Sequence, residues 1–270
     1  MNQTYPTSRR TALRVIAATM VGATVGVQGV AASEHEEFPE WPRVTWGESV
    51  PMGEGTVSSY LRHSHAGEVN LLGLYFTAGA WEGLPSPEEQ PHAHFALDLP
   101  DGGEETPFAW VGIDWAAEGH PPMEVYGDPH LDIHFYMMDR ETVHDIPPDD
   151  DYQVPLAADQ HPPGYIRTHE IVPMMGEHLV DPTAPEFQGE PFTHTFIWGA
   201  YGGDLTFYEP MITIDYLDGL REETRTDIGM PEAFAEAGEY PIRYAIEYHP
   251  DLDAYTVSLE CFRPFDESGC

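Results

Sequence analysis

Short runs in which hydrophobic and polar residues alternate fill this chain, and 26 prolines and 25 glycines punctuate them. Alternation with period two is the mark of a half-buried strand, and Pro and Gly clusters mark the turns between strands. Strands are expected at 56–61, 69–77, 108–115, 130–138, 192–201, 204–216, 241–248 and 255–262. One short helix is expected at 231–237, with Pro231 at its start and Gly238 beyond its end. No linker-like stretch and no repeat divides residues 33–270. The pattern predicts an all-β fold: a single-domain antiparallel β-sandwich or barrel with long Pro/Gly-rich loops and one or two short helices.

Two segments carry the pattern furthest. Residues 128–136 read Asp-Pro-His-Leu-Asp-Ile-His-Phe-Tyr. On a strand, His130, Asp132, His134 and Tyr136 share one face, and Leu131, Ile133 and Phe135 share the other. Residues 192–213 read as a hairpin about Gly202-Gly203, which supplies the positive φ values of a two-residue turn. Counting outward pairs Trp198 with Phe207, Phe196 with Glu209 and His194 with Met211. That register puts His194 and Glu209 together on an otherwise apolar face, where a lone carboxylate is costly unless it is paired, neutralised or metal-bound. A bulge near Pro210 that turns Glu209 outward, or an arginine partner, is the alternative.

Composition adds the setting. Arg9-Arg10, an apolar stretch from about Ala12 to Val30 and the small residues Val30-Ala-Ala32 describe a twin-arginine-type signal peptide over 1–32. The expectation is export, to the cell-envelope exterior or beyond, with no membrane span in the mature protein. The chain has 47 acidic and 11 basic side chains and no lysine. Three arginines fall within 1–32, leaving eight basic against 47 acidic side chains, a formal charge of −39. Such self-repulsion is largely screened at molar salt, where the Debye length is about 3 Å, so the mature chain reads as halophilic. Nucleic acid is excluded as a partner because phosphate contacts need clustered cations. At 41% hydrophobic and 12% aromatic, the chain is far from a disordered composition. Cys261 and Cys270 lack the spacing of a metal or redox motif, and a disulfide between them stays open.

Chemistry points to histidines and acids. His130 and His134 have Cα atoms about 13 Å apart on a strand, too far to share one ion easily, so a pair two residues apart is favoured, completed from elsewhere. The candidate metal ligands are His130, Asp132, His134 and His178, with His120, His194 and Glu209 as further members. Mixed imidazole and carboxylate ligands suit a divalent Zn, Mn, Fe or Cu ion. The alternative for 130–136 is a solvated face in which histidine replaces the missing lysine. No phosphate loop, serine-nucleophile elbow or His-Glu-x-x-His motif occurs, and without lysine there is no Schiff-base chemistry.

Three motifs occur in order: Trp115 with His120, Pro122, Tyr126 and the run Pro129-His-Leu-Asp-Ile-His-Phe-Tyr136; Val172-Pro-Met-Met-Gly-Glu-His178; and Glu209-Pro-Met211. Over about 105–260 the chain thereby resembles a family of exported prokaryotic proteins with no assigned reaction, the TTHB-type hypothetical proteins. The resemblance implies that His120, His130, Asp132, His134, His178 and Glu209 are the positions to watch. It departs from the pattern at Leu179, where an aromatic is expected. His92-Ala-His94 with Asp98 is faintly similar to the cupin metal pattern, but the spacing to a third histidine in Pro-Met-Met-Gly-Glu-His178 differs. Two functions follow as expectations: a metal site acting on a small molecule, or a non-enzymatic envelope or secreted protein whose buried polar networks hold no metal. A homo-oligomer is open under either.

Overall fold

The computed structural model describes residues 41–269 apart from 87, 91 and 148–153. The expected signal segment and Cys270, with its pairing to Cys261, lie outside the described residues. The described chain is an all-β sandwich. Its strands are β1 (Val44–Met52), β2 (Gly55–His63), β3 (Val69–Thr77), β4 (His92–Asp98), β5 (Trp110–Ala116), β6 (His130–Tyr136), β7 (Ile166–Val172), β8 (Gly176–Val180), β9 (His194–Tyr201), β10 (Asp204–Thr213), β11 (Thr224–Asp227), β12 (Ala233–Phe234), β13 (Gly238–His249) and β14 (Ala254–Glu267). Three short helices join them: α1 (Met123–Tyr126), α2 (Arg140–His144) and α3 (Ile214–Gly219). None is long and apolar enough to cross a membrane.

One sheet runs β1-β2-β3-β14-β13-β11, with β12 added beside β14, and the other runs β4-β5-β6-β10-β9-β8-β7. The core lies between them. The first sheet contributes Val57, Leu61, Leu74, Phe76, Ile246 and Val257, and the second contributes Ile113, Leu131, Ile133, Phe135, Trp198 and Tyr208. Alternation along β6 is as expected for a strand: its odd-numbered residues face this core.

The even-numbered face of β6 is not solvated, however. All seven residues of the strand are buried, His130 and His134 completely. The outer face of the second sheet carries its own apolar cover, with Trp110, Tyr136, Val143 and Phe207 over one end. Tyr126, Phe192, Ile197 and Met211 cover the other. Histidines standing in for surface lysines would not be sealed in this way.

The β9–β10 hairpin departs from the counted register. Leu205 pairs with Ala200 but Phe207 with Gly199, so Thr206 is the extra residue of a bulge. Beyond it Trp198 lies opposite Tyr208, Phe196 opposite Pro210 and His194 opposite Ile212. A one-residue shift moves every later side chain to the other face. Tyr208 and Ile212 enter the sandwich core, while Phe207 and Met211 join the outer clusters. Glu209 goes with the latter, away from His194.

The expected helix at 231–237 is absent. Ala233 and Phe234 pair in parallel with Asp266 and Glu267, and the N–H groups of Glu232 and Ala233 donate to the Asp159 carbonyl. The Phe234 ring stacks on Tyr240 with centroids 3.5 Å apart. Burial of that aromatic, 1% exposed, outweighs a weak local helix preference. The strand expected at 204–216 stops at Thr213, whose hydroxyl accepts from the Tyr216 N–H and starts α3.

Candidate metal centre

On the outer face of the second sheet, six of the seven candidate residues gather into two sets. His120, His130 and Asp132 form one; His134, His178 and Glu209 form the other. Within each set the ligand atoms lie within 4.8 Å of one another.

The first set is built from one strand and one loop. His130 and Asp132 are two residues apart on β6, with His130 Nε2 3.0 Å from Asp132 Oδ1. His120 comes from the turn before α1, where Gly119 takes a φ of 69° and the His120 N–H donates to the Tyr126 carbonyl. A side chain at Gly119 would collide with that same carbonyl, so the turn needs glycine. His120 Nε2 then lies 3.5 Å from Asp132 Oδ2, and its ring centroid is 4.8 Å from that of His130.

Both rings are held from behind. His130 Nδ1–H donates to the Asp128 carbonyl at 2.6 Å, and His120 Nδ1–H donates to the Pro121 carbonyl at 3.0 Å. Since a carbonyl only accepts, the hydrogen sits on Nδ1, and Nε2 in each neutral ring is the bare nitrogen turned toward Asp132. That tautomer is the one a metal ligand needs.

The second set spans three strands. The β6–β10 register runs from Tyr208 opposite Phe135 to Met211 opposite Asp132, which sets Glu209 across from His134. His134 Nε2 is 3.3 Å from Glu209 Oε1, and His178 Nε2, from β8, is 3.5 Å from Glu209 Oε2. The Phe207 ring packs against both histidines, with centroids 5.0 Å from His134 and 5.4 Å from His178. Gly199, which lies opposite both Phe207 and His178, leaves the space that ring occupies.

Close approach here leaves several buried atoms without an aligned hydrogen bond. Among the described residues, His130 Nε2, Asp132 Oδ1, both ring nitrogens of His134 and Glu209 Oε2 are buried with no aligned partner. Unpartnered buried polar atoms are rare and call for a cause. Ligand atoms each about 2.1 Å from one ion, at angles of about 90–109°, stand about 3.0–3.4 Å apart. The imidazole-to-carboxylate separations of 3.0 to 3.5 Å are close to that spacing, each ring facing a different oxygen of its carboxylate, and one ligand atom from each residue lies within 4.8 Å of the other two. Each set offers two imidazoles and one carboxylate, and either can hold a divalent ion.

Electrostatics follow the carboxylates. Burial disfavours the charged ring of His120, but Asp132 beside it prevails and raises its pKa to about 9. His130 moves up in the same way, burial opposing and Asp132 prevailing. Burial works against the Asp132 carboxylate, yet His130 and His120 hold it below the usual range. For His134, burial is outweighed by the acidic groups of Tyr136, Glu209 and Asp114, which lift its pKa well up. His178 goes the other way, since burial outweighs its pairing with Glu209.

The remaining candidates fall elsewhere. His194 points into the sandwich, hydrogen-bonded through Nδ1 to the Tyr244 hydroxyl at 2.8 Å, and belongs to neither set. Its expected neighbourhood with Glu209 is undone by the Thr206 bulge. Glu177 accepts from Arg167 Nε and from the His169 N–H. Asp98 pairs with Arg140 on the surface, and the His92 side chain lies outside the described residues. A cavity of about 750 Å³ at the end of the sandwich, walled by Trp81, Trp115, Phe192 and Tyr216, touches none of the six residues. Sequence reasoning missed Asp114 and read His94 only in a cupin-like pattern with His92 and Asp98, yet the two extend the site: His94 Nδ1 is 2.9 Å from Asp114 Oδ1, and Asp114 Oδ2 is 3.4 Å from His134 Nδ1. Asp114 alternates with Trp115 and Ile113 on β5, and that was the available signal.

No family model, curated protein or solved structure matches the chain. The reading of the site therefore rests on its own geometry.

Proposed function

We propose that this is an exported, salt-adapted β-sandwich that binds divalent transition metal in the two His-His-carboxylate sets and uses one of them on a small molecule. The observation that carries this reading is the convergence of buried, unpartnered imidazole nitrogens and carboxylate oxygens at ligand-edge distances. Three protein ligands leave a position for water, as catalytic rather than structural sites do. Such an ion supplies a bound water of lowered pKa for acid–base work.

The sets divide the labour. His120 is the most open of the six side chains, at 28% exposure, so a small molecule reaches the His120–His130–Asp132 set first. The second set lies beneath Phe207, with Glu209 2% exposed and His134 sealed, and suits an ion that stays in place. The same imidazole and carboxylate chemistry favours Zn, Mn, Fe or Cu over Ca or Mg.

Elemental analysis of untagged protein purified in high salt tests this. Bound transition metal, with one share lost in His178→Ala and another in His120→Ala, supports it. Metal-free protein whose stability ignores both chelator and added metal overturns it, and favours a non-enzymatic envelope protein with buried polar networks.

A further inference from the structure

His120 and His130 each have Nδ1 tied to a main-chain carbonyl, which leaves Nε2 free to face Asp132. His134 has no such carbonyl. Its Nδ1 faces Asp114 Oδ2 at 3.4 Å, within ion-pair reach, and neither atom has an aligned hydrogen-bond partner. The other oxygen of Asp114 is fixed at 2.9 Å from His94 Nδ1. The ladders explain why these groups meet. Asp114 lies opposite His94 on one side and Asp132 on the other, and Gly112 lies opposite His134. A Cβ at Gly112 would stand 3.0 Å from the His94 ring and 3.2 Å from Tyr136, so the glycine clears the lane through which His94 reaches Asp114.

We propose that Asp114 is the positioning residue of the second set: held by His94, it fixes the His134 ring with Nε2 toward Glu209 and His178 and makes that set the tighter of the two metal sites. This inference rests on the metal reading above. A carboxylate behind a ligating imidazole raises its basicity more than a neutral carbonyl does, and loss of such a partner typically costs about 10–100-fold in metal affinity. The His120–His130–Asp132 set has only neutral carbonyls behind its imidazoles, so it should fill second.

Titration with Co(II), followed by its visible absorption, separates the steps. Wild-type protein is expected to bind in two stages, with the tighter stage abolished in His178→Ala. Asp114→Ala should weaken that stage by about 10–100-fold and leave the weaker stage unchanged. Asp114→Asn, which keeps an acceptor but no charge, should fall between, and His94→Ala should cost less than Asp114→Ala. Ring nitrogen shifts of His134, read by NMR on metal-free protein at a pH high enough for the ring to be neutral, should show the Nδ1–H form in wild type and a mixture in Asp114→Ala. The unchanged weaker stage certifies that the variant is folded. If wild type takes up Co(II) in the set abolished by His178→Ala, yet Asp114→Ala binds as tightly with the same His134 tautomer, the positioning role is overturned. If wild type takes up no Co(II), the metal reading fails and this inference fails with it.

Discussion

His134 and Glu209 face each other across β6 and β10, Nε2 3.3 Å from Oε1, inside a wall formed by Phe207 and Tyr136. Both are sealed from water. Removing one member of a buried charged pair leaves the other uncompensated, which costs about 3–5 kcal/mol. Glu209→Ala should therefore lower the unfolding free energy of metal-free protein by that order, measured by denaturant titration in high salt. Glu209→Gln keeps the volume and should unfold closer to wild type while losing the metal of the second set. Equal metal content in wild type and Glu209→Gln would remove Glu209 from the ligands.

The exposed edge of the other set holds its proton well above neutrality. His120 has a folded pKa of about 9, above about 6.5 for an unfolded histidine. A raised histidine stabilises the fold fully below about pH 6.5, and that contribution fades as pH climbs to about 9. Metal-free protein should thus lose stability across this window, and His120→Ala should flatten the loss. Asp132, lowered by the same pair, contributes above its ordinary carboxylate pKa and loses that contribution as pH falls. An incoming ion must displace the protons that His120 and His130 hold, so affinity at this set should rise at least about tenfold per pH unit up to about pH 9. Calorimetric titration at several pH values measures both trends.

Why some of this was legible in the sequence, and some not, comes down to period and register. Period two alone separates Leu131, Ile133 and Phe135 from His130, Asp132 and His134, because β6 is regular. Glu209 was legible as an oddity but not in its place, since Thr206 adds a residue that no local signal marks and every side chain after it changes face. His194 was misplaced for the same reason. His120 and His178 join the two sets through a loop and a third strand, relations of tertiary pairing that spacing along the chain does not encode. Phe234 shows the same limit for secondary structure, with stacking on Tyr240 deciding against the helix.

Gly199 offers a test of packing rather than charge. A Cβ there would overlap the Phe207 ring, which in turn touches His134 and His178. Overpacking of this kind typically costs about 1–3 kcal/mol. Gly199→Ala should destabilise the protein by that order and weaken metal at the second set, because the ring it displaces packs against both histidines. A variant with full stability but weakened metal would show that the ring holds the ligands in place without bearing on the fold.

The last expectation concerns salt. Arg140 pairs with Asp98, Arg225 with Glu260 and Arg243 with Asp227, yet eight arginines cannot answer 47 acids. The excess acts over about 10 Å at 0.1 M salt and about 3 Å at 1 M, so repulsion within the folded chain should fall steeply between these conditions. Thermal unfolding should shift upward as KCl is raised through this range. A neutral osmolyte at matched water activity should not reproduce the shift, because it leaves charges unscreened. Replacing exposed acids of the first sheet, such as Glu48 on β1 and Glu239 on β13, by glutamine should reduce the salt dependence without touching metal content. A melting temperature indifferent to salt would instead mean that the acids are spaced widely enough to coexist unscreened, and the salt-adapted reading would fall.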